Sequence, residues 1–294
     1  MTGMQRLTIL RNFLRDNAEK LMSDNSFNLE IWGVYSQPPC GFSGCAVGWG
    51  ANISELKKEG LTLRKLCWDF VEPAYNGSRG VSAVRSFFNL PSELITFMFL
   101  EHYYEDNGYI PVVVKHIDVV LHMLYFGVFT PKPGIVIEKL YRNNEAHFLF
   151  YDLLQTAGRL TCYFHEPSIF YKYSIKAGLL AAGRAMKNAE FYNSDNDGMH
   201  DIQCGISSLV DLLSNNAPPY CYFGSSSSGY GFFVSESLIN NAADDGKLVK
   251  LSDVPDFENI DNEVWNGAEH ALVVNDHGNM TLYNINGEEL WSIV

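Results

Sequence analysis

Basic residues are scarce in this chain, which has 21 lysines and arginines against 34 aspartates and glutamates and a formal net charge of -13. Nucleic-acid-binding proteins usually present a basic footprint to the phosphate backbone, so this balance argues against direct binding of DNA or RNA. It is compatible with binding a basic protein surface, including the nucleic-acid groove of another protein, because complementary potentials orient association. The alternative is that the acidity only keeps a cytosolic protein soluble.

The chain also has few cysteines and few long apolar runs. Six cysteines in 294 residues are too few for a disulfide scaffold, and no signal peptide opens the chain. The most apolar stretch, residues 110–129, contains Lys115, Asp118 and two histidines, which would be costly in a bilayer. We therefore expect free thiols, a reduced cytoplasm and no membrane contact.

The common catalytic motifs are absent: the sequence has no P-loop, dinucleotide fingerprint, nucleophile elbow or His-Glu-x-x-His. Residues 193–198 resemble the start of an EF-hand loop, but its twelfth position is Cys204 and not the glutamate that calcium requires. Residues 276–279 could do acid–base chemistry, yet Asp, Gly and Asn between two predicted strands are ordinary turn residues. The sequence therefore predicts no catalytic residue and no cofactor.

Glycine and cysteine are concentrated in residues 40–50, and this density indicates a loop of tightly specified shape. We predict a structural loop whose thiols pack as small hydrophobic groups. Its candidate residues are Cys40, Gly41, Gly44, Cys45, Gly48 and Trp49. The alternative is half of a zinc site, completed by Cys67, His102 or a distant histidine. The Cys40–Cys45 spacing lies at the edge of the zinc range and no second close pair follows, so we predict no metal.

Two stretches place aromatic rings next to carboxylates where a predicted helix ends. Tyrosine and phenylalanine often anchor protein interfaces, and carboxylates select basic partners. We therefore predict a partner-binding surface. Its candidate residues are Tyr103, Tyr104, Glu105, Asp106, Phe191, Tyr192, Asp195 and Asp197. The alternative is that the rings cap the core while the acids face water.

Hydrophobic spacing predicts an amphipathic helix over residues 4–22 and further helices over residues 62–70, 82–88, 91–104, 168–192 and 206–213. Three strand-like runs close the chain at residues 271–275, 280–285 and 290–294, and Asn286-Gly287 is a strong hairpin signal. The predicted class is α+β, mainly helical in its N-terminal and central regions, with a C-terminal antiparallel β-meander.

Composition divides the chain into three regions. Residues 1–109 form a helical region with the glycine–cysteine loop, and residues 110–217 form a mixed, aromatic-rich region with a long helix. Residues 218–294 combine a linker with the β-meander. We predict that the linker is flexible because it contains Pro218-Pro219 and the serine run of residues 225–229.

The Cys-Gly-x-x-x-Cys-Ala-x-Gly-Trp element that begins at Cys40 resembles an element found after the N-terminal helix of many short phage and bacterial proteins. The closing segments, residues 274–283 and 289–294, also resemble the C-terminal strands of small phage proteins. In size, acidity and helical-then-β organisation, the chain resembles the Gabija anti-defence family of phages. That resemblance implies a non-enzymatic inhibitor that oligomerises around a nuclease/ATPase-type defence complex in the host cytoplasm and blocks its access to DNA.

Two other functions stay open. One is an enzyme or metal-dependent protein that uses Cys40, Cys45 and a distant histidine, which predicts stoichiometric zinc. The other is a virion or structural protein whose β-meander serves assembly, which predicts self-association without a host partner.

Overall fold

The structure is a computed structural model that describes residues 1–35, 42–100, 109–127, 130–160, 173–187, 196–253 and 267–293. Its mixture of helices and antiparallel sheets confirms the α+β class. The chain folds into two compact units. The first comprises Met1–Phe129 and Tyr141–Leu209, and the second comprises Thr130–Leu140 and Val210–Val294. The three-region division by composition stays a prediction.

Most helices belong to the first unit. They are α1 Gly3–Ser23, α2 Ala46–Gly50, α3 Ser54–Lys58, α4 Gly80–Phe88, α5 Ser92–Phe99, α6 Ile110–Phe126, α7 Ala146–Gly158, α8 Tyr173–Lys187 and α9 Asn196–Asn215, which runs past the division at Leu209. A short 3-10 turn, Asn143–Glu145, precedes α7.

The predicted amphipathic helix is confirmed as α1. Thr2 caps its N-terminus in a capping box with Gln5, which satisfies two backbone N–H groups that the helix itself cannot bond. Four leucines at helical spacing are buried along one face: Leu7, Leu10, Leu14 and Leu21. That face packs against α6, so burial of the leucines holds these two helices together.

The later helices depart from prediction mainly at their ends. α4 begins two residues before the predicted start, and α5 ends at Phe99, after which Leu100 is extended. α8 falls within the predicted long helix. α9 begins at Asn196, so the last residues of the predicted polar loop belong to a helix and not to a turn.

A small antiparallel sheet lies in the first unit. Its strands are β1 Gly33–Val34, β2 Thr62–Cys67, β3 Phe70–Tyr75 and β4 Ser78–Arg79. β3 is central, with β2 along one side and β1 and β4 along the other.

The helix predicted over residues 62–70 is therefore wrong: the segment is strand β2 and the turn of the β2–β3 hairpin. Pairing with β3 outweighs the helical spacing of the leucines, because tertiary context routinely overrides local propensity. Pro73 does not stop a helix but lies inside β3. On the side away from β2, β1 pairs with Phe70 and Val71 and β4 pairs with Ala74 and Tyr75, so Pro73 faces the gap where no N–H donor is needed.

The second unit begins with an antiparallel sheet of order β5-β7-β6. Its strands are β5 Gly134–Ile137, β6 Cys221–Ser226 and β7 Gly229–Val234. The flexible linker predicted here is wrong, because Ser225 and Ser226 end β6 and pair with Tyr230 and Gly229. The serine run forms a hairpin turn, which fixes the backbone through ladder hydrogen bonds.

A second sheet completes this unit after helix α10, Glu236–Asp244. Its strands are β8 Leu248–Leu251, β9 His270–Val274, β10 Met280–Asn284 and β11 Glu289–Ile293. β9, β10 and β11 form the predicted antiparallel meander, which is confirmed. β8 adds to β9 in the parallel sense and makes the sheet mixed. Trp291 lies in the core of this unit, where its Nε1–H donates to the carbonyl oxygen of Pro219 at 3.0 Å.

Candidate functional site

The most exposed large apolar side chains of the β1–β4 sheet lie at the turn end of the β2–β3 hairpin. Trp68 is 85% exposed, Leu66 is 59% exposed and Phe70 is 41% exposed. Tyr35, 48% exposed, follows β1 at the same end, where its N–H donates to the carbonyl oxygen of Asp69 at 3.1 Å. We call these four residues the hairpin surface. Trp and Tyr are the residues that most often dominate the binding energy of interfaces.

The backbone at Trp68 is in an unfavourable conformation. Its φ angle is 48°, in the left-handed region that tight two-residue turns usually fill with glycine, asparagine or aspartate. A bulky L-residue there costs roughly 1–2 kcal/mol. Burial of the indole does not offset this cost, because the side chain is almost fully exposed. Strain of this kind, retained without a packing reward, is typical of sites selected for function.

Two positively charged residues lie next to the hairpin surface on β2. Arg64 and Lys65 on β2 are exposed, and neither forms an ion pair with any residue that the structure describes. Arg64 lies opposite Glu72 in the β2–β3 register, but the Glu72 carboxylate pairs with Arg79 of β4 at 3.7 Å. In a chain with a net charge of -13, two adjacent cations form a local exception to the prevailing sign. The turn end of this sheet therefore combines aromatic anchors with a basic strand.

A second candidate site is a groove of about 720 Å³ lined mainly by residues of α1 and α6. We call it the α1–α6 groove. Its walls are mostly apolar, and its main lining residues are Met4, Ile9, Leu121, Tyr125 and Phe126. Concave apolar sites of this size with a few polar groups can hold a small organic ligand.

The ionisable side chains that line this groove are an ion pair and a histidine. Arg11 Nη1 lies 3.2 Å from Asp118 Oδ1. Burial raises the pKa of Asp118, and the positive charge of Arg11 partly opposes that rise. Burial, assisted by the charge of Arg159, lowers the pKa of His122, which favours its neutral form. The arrangement presents hydrogen-bonding groups with balanced charge.

The glycine–cysteine loop, where the structure describes it, packs into the core. Cys45 is 2% exposed and caps α2, its sulfur accepting from Gly48 N–H at 3.5 Å. Burial raises the pKa of its thiol to about 11, so the reactive thiolate is strongly disfavoured. A Cβ on Gly48 would collide with the carbonyl oxygen of Trp32, and one on Gly44 would lie 2.6 Å from the same atom.

Trp49 ties this loop to its surroundings. Its Nε1–H donates to the carbonyl oxygen of Ser26 at 2.9 Å. Its ring stacks on Phe13 of α1 and meets Phe42 edge-on, with centroids 5.0 Å apart in the second contact. The loop thus connects α1 to the segment before β1. Cys40 and Gly41 lie outside the described residues.

Most residues predicted to bind a partner also lie outside the described residues: Tyr103, Tyr104, Glu105, Asp106, Phe191, Tyr192 and Asp195. Asp197 is near the start of α9. A carboxylate in the first turn of a helix favours the positive end of the helix dipole, which gives Asp197 a role in helix stability. Its role in partner binding stays a prediction.

Two further sequence candidates have ordinary local roles. Residues 276–279 form the turn between β9 and β10, where the side chain of Asn275 accepts from the N–H groups of His277 and Asn279. Asp276 and His277 are both strongly exposed, and the distance between Asp276 Oδ1 and His277 Nε2 is 3.7 Å.

Within the described residues, no three His, Cys, Asp or Glu side chains are grouped closely enough to hold a metal ion. None of the helices described is long and apolar enough to cross a membrane.

Comparison of the chain with protein-family models, curated proteins and solved structures gives no match. The sites above are therefore interpreted from their own geometry.

Sequence reasoning missed the hairpin surface, although a signal was present. Leu66, Trp68 and Phe70 alternate with period two, which is the spacing of a strand and not of a helix. The preceding apolar residues, Leu61 and Leu63, alternate in the same way. The break between the two series coincides with the register shift between Lys65 and Cys67 in the β2–β3 pair. Only Leu66 of the second series lies on β2, since Trp68 is in the turn and Phe70 begins β3, so the spacing indicated extended backbone but did not reveal the hairpin turn.

Proposed function

We propose that this chain is a non-catalytic binding protein that docks on a partner protein through the hairpin surface. The observation that carries the proposal is the 85% exposure of Trp68 on a left-handed backbone. A strained and exposed tryptophan brings no benefit unless a partner covers it, because both the strain and the apolar exposure are unfavourable in water.

The partner class that we propose is a bacterial anti-phage defence complex of the nuclease/ATPase type, in the host cytoplasm. The support is the sequence resemblance to the Gabija anti-defence family, together with the charge of the chain. Once anchored by the hairpin surface, an acidic body of charge -13 beside a DNA-binding surface would repel phosphates and occupy space. Inhibition would then be steric and electrostatic, without catalysis, and a homo-oligomer would extend the occluded area.

The test is capture of the tagged protein from lysates of bacteria that carry defined defence systems, followed by native mass spectrometry. We expect a complex with a defence nuclease or ATPase, and its mass reports the number of copies of this chain. The purified complex should bind DNA less tightly than the defence protein alone.

Two variants make the test specific. Trp68→Ala should abolish capture, since truncation of a hot-spot tryptophan typically costs about 2 kcal/mol or more. Tyr222→Ala is the matched control, because Tyr222 is 46% exposed on β6 and belongs neither to the hairpin surface nor to the α1–α6 groove. Capture that survives Trp68→Ala, or a protein that retains no defence component, would contradict the proposal.

A further inference from the structure

Among the residues that the structure describes, nothing pairs with the outer edge of β2. β2 pairs with β3 on one side only, and no strand in the described ranges pairs with the other side. All of its residues are exposed except Leu63, which is partly buried. An open strand edge presents unpaired N–H and C=O groups, which an extended chain can satisfy by adding as a further strand.

The charges of this edge select one kind of strand. Side chains alternate across a strand, so Arg64 and Lys65 lie on opposite faces of the sheet. An added strand with carboxylates on both of its faces would therefore meet a cation on each. Opposite charges on neighbouring strands stabilise pairing, and like charges weaken it.

Apolar contacts are available at one end of the same edge. Leu66 lies at the register shift of β2, and Trp68 follows in the turn, both exposed. An added strand with a large apolar side chain near this end would cover rings and aliphatic groups that water now surrounds. Burial of apolar surface is favourable in water, so contacts at this end would add to the affinity.

Pairing of two copies through this edge is disfavoured. Side-by-side β2 strands would bring Arg64 and Lys65 of one copy close to those of the other, and like charges oppose such pairing. Lysine on an edge strand is a common device against self-association. The same charges that oppose self-pairing therefore favour an acidic strand.

From these observations we propose that the outer edge of β2 binds an extended acidic segment of the partner by strand addition. The inference rests on the proposed function for the hairpin surface and specifies the chemistry of what binds there. The segment carries carboxylates on both faces and a large apolar residue at the end nearest Trp68.

The probe is a short synthetic peptide of glutamates and valines, with glutamates on both faces of the extended chain and a terminal phenylalanine, added to the full chain. Two matched peptides serve as controls: one with lysine in place of glutamate, and one with N-methyl groups on alternate amides. We expect the acidic peptide to bind and to slow hydrogen exchange in residues 62–67. The lysine peptide and the N-methylated peptide should each bind at least about tenfold more weakly, because charge and main-chain pairing are lost separately.

A charge-reversal variant provides the complementary test. Lys65 faces Val71 across the β2–β3 pair, so Lys65→Glu places no carboxylate directly opposite another. The variant should weaken binding of the acidic peptide and strengthen binding of the lysine peptide, while hydrogen exchange elsewhere in the chain stays unchanged. Lys65→Gln should give intermediate values.

Several outcomes would overturn the inference: protection outside β2, equal binding of the acidic and lysine peptides, no effect of N-methylation, or no binding at all. If the peptides fail while Trp68-dependent capture of a defence protein persists, strand addition is wrong and the proposed function stands. If the acidic peptide binds β2 but no defence protein is captured, the edge is a docking site and the proposed partner class is wrong.

Discussion

The Nδ1 atom of His116 lies 3.1 Å from the carbonyl oxygen of Phe97, and both residues are completely buried. Because a carbonyl only accepts, Nδ1 carries the proton, and Nε2 accepts from the hydroxyl of Tyr151 at 3.3 Å. The imidazole also stacks on the Phe97 ring, with centroids 4.4 Å apart. One neutral histidine thus links α5, α6 and α7.

This link predicts a pH dependence of stability. Burial lowers the pKa of His116 from 6.5 to about 3. Between these values the unfolded chain binds a proton that the folded chain does not, so stability falls as pH falls, by up to about 1.4 kcal/mol per pH unit. Above the unfolded pKa the histidine is neutral in both states and adds no slope. His147, whose pKa burial lowers to about 4, acts in the same direction.

The test is urea unfolding of the wild type, His116→Gln and His277→Gln at neutral pH and near pH 5. His116→Gln should lose stability at neutral pH and show a flatter pH dependence, because the titrating group is gone. His277→Gln should behave like the wild type, since His277 is strongly exposed. An unchanged slope in His116→Gln would show that this histidine does not titrate as its burial implies.

Relief of backbone strain at Trp68 should stabilise the protein. Asparagine tolerates the left-handed region much better than tryptophan, so Trp68→Asn should raise the free energy of unfolding by about 1 kcal/mol while abolishing partner capture. Thermal and urea unfolding provide the measurement. Trp68→Phe is the control, because it keeps a bulky residue at the same φ and should give no gain. A loss of stability in Trp68→Asn would mean that the indole makes favourable contacts in solution.

Thiol reactivity should separate Cys67 from Cys45 and Cys221. Cys67 is exposed, whereas burial raises the pKa of Cys45 to about 11 and that of Cys221 to about 12. A thiol-specific reagent at mildly alkaline pH should therefore modify Cys67 in the folded protein and reach the other two only on unfolding. Peptide mass spectrometry after timed labelling assigns each site. Labelling of Cys45 as fast as Cys67 would show that the loop opens in the native state.

The ion pair in the α1–α6 groove should contribute modestly to stability. Arg11→Met removes the cation beside Asp118 and should cost about 0.5–1 kcal/mol at neutral pH, as expected for a partly exposed pair. The deficit should shrink as pH falls through the pKa of Asp118, because the protonated carboxyl no longer needs a cation. Asp118→Asn in the same chain should recover part of the loss. An additive double variant would show that the pair is not coupled.

Some elements of this fold can be predicted from the sequence because local signals and tertiary context agree. Helix α1 has a cap, an apolar stripe and a packing partner, and β10–β11 has the Asn286-Gly287 turn between alternating runs. The β2–β3 hairpin cannot be predicted in the same way. Its leucines fit two periods, and the choice between them depends on β3, which sequence spacing does not supply.

The candidate site is harder still to predict, because it is defined by which apolar side chains are exposed, and the sequence alone does not give their exposure. Trp68 and Trp291 look alike in sequence, yet one is 85% exposed and the other 1% exposed. The serine run of residues 225–229 gives a similar lesson, since its composition is that of a linker while its backbone pairs within a hairpin. The same residue type is therefore exposed or buried according to contacts made by distant parts of the chain.

Strand β5 has a consequence for synthesis of the protein on the ribosome. About 90 residues separate β5 from β7, the strand with which it pairs. At translation rates of about 5–20 residues per second, β5 leaves the ribosome roughly 5–18 s before its partner does. During that interval the Gly-Ile-Val-Ile segment that becomes β5 has no partner strand with which to form hydrogen bonds. The β5-β7-β6 sheet thus forms only after β7 has emerged, and β5 is an apolar segment that chaperones can recognise until then.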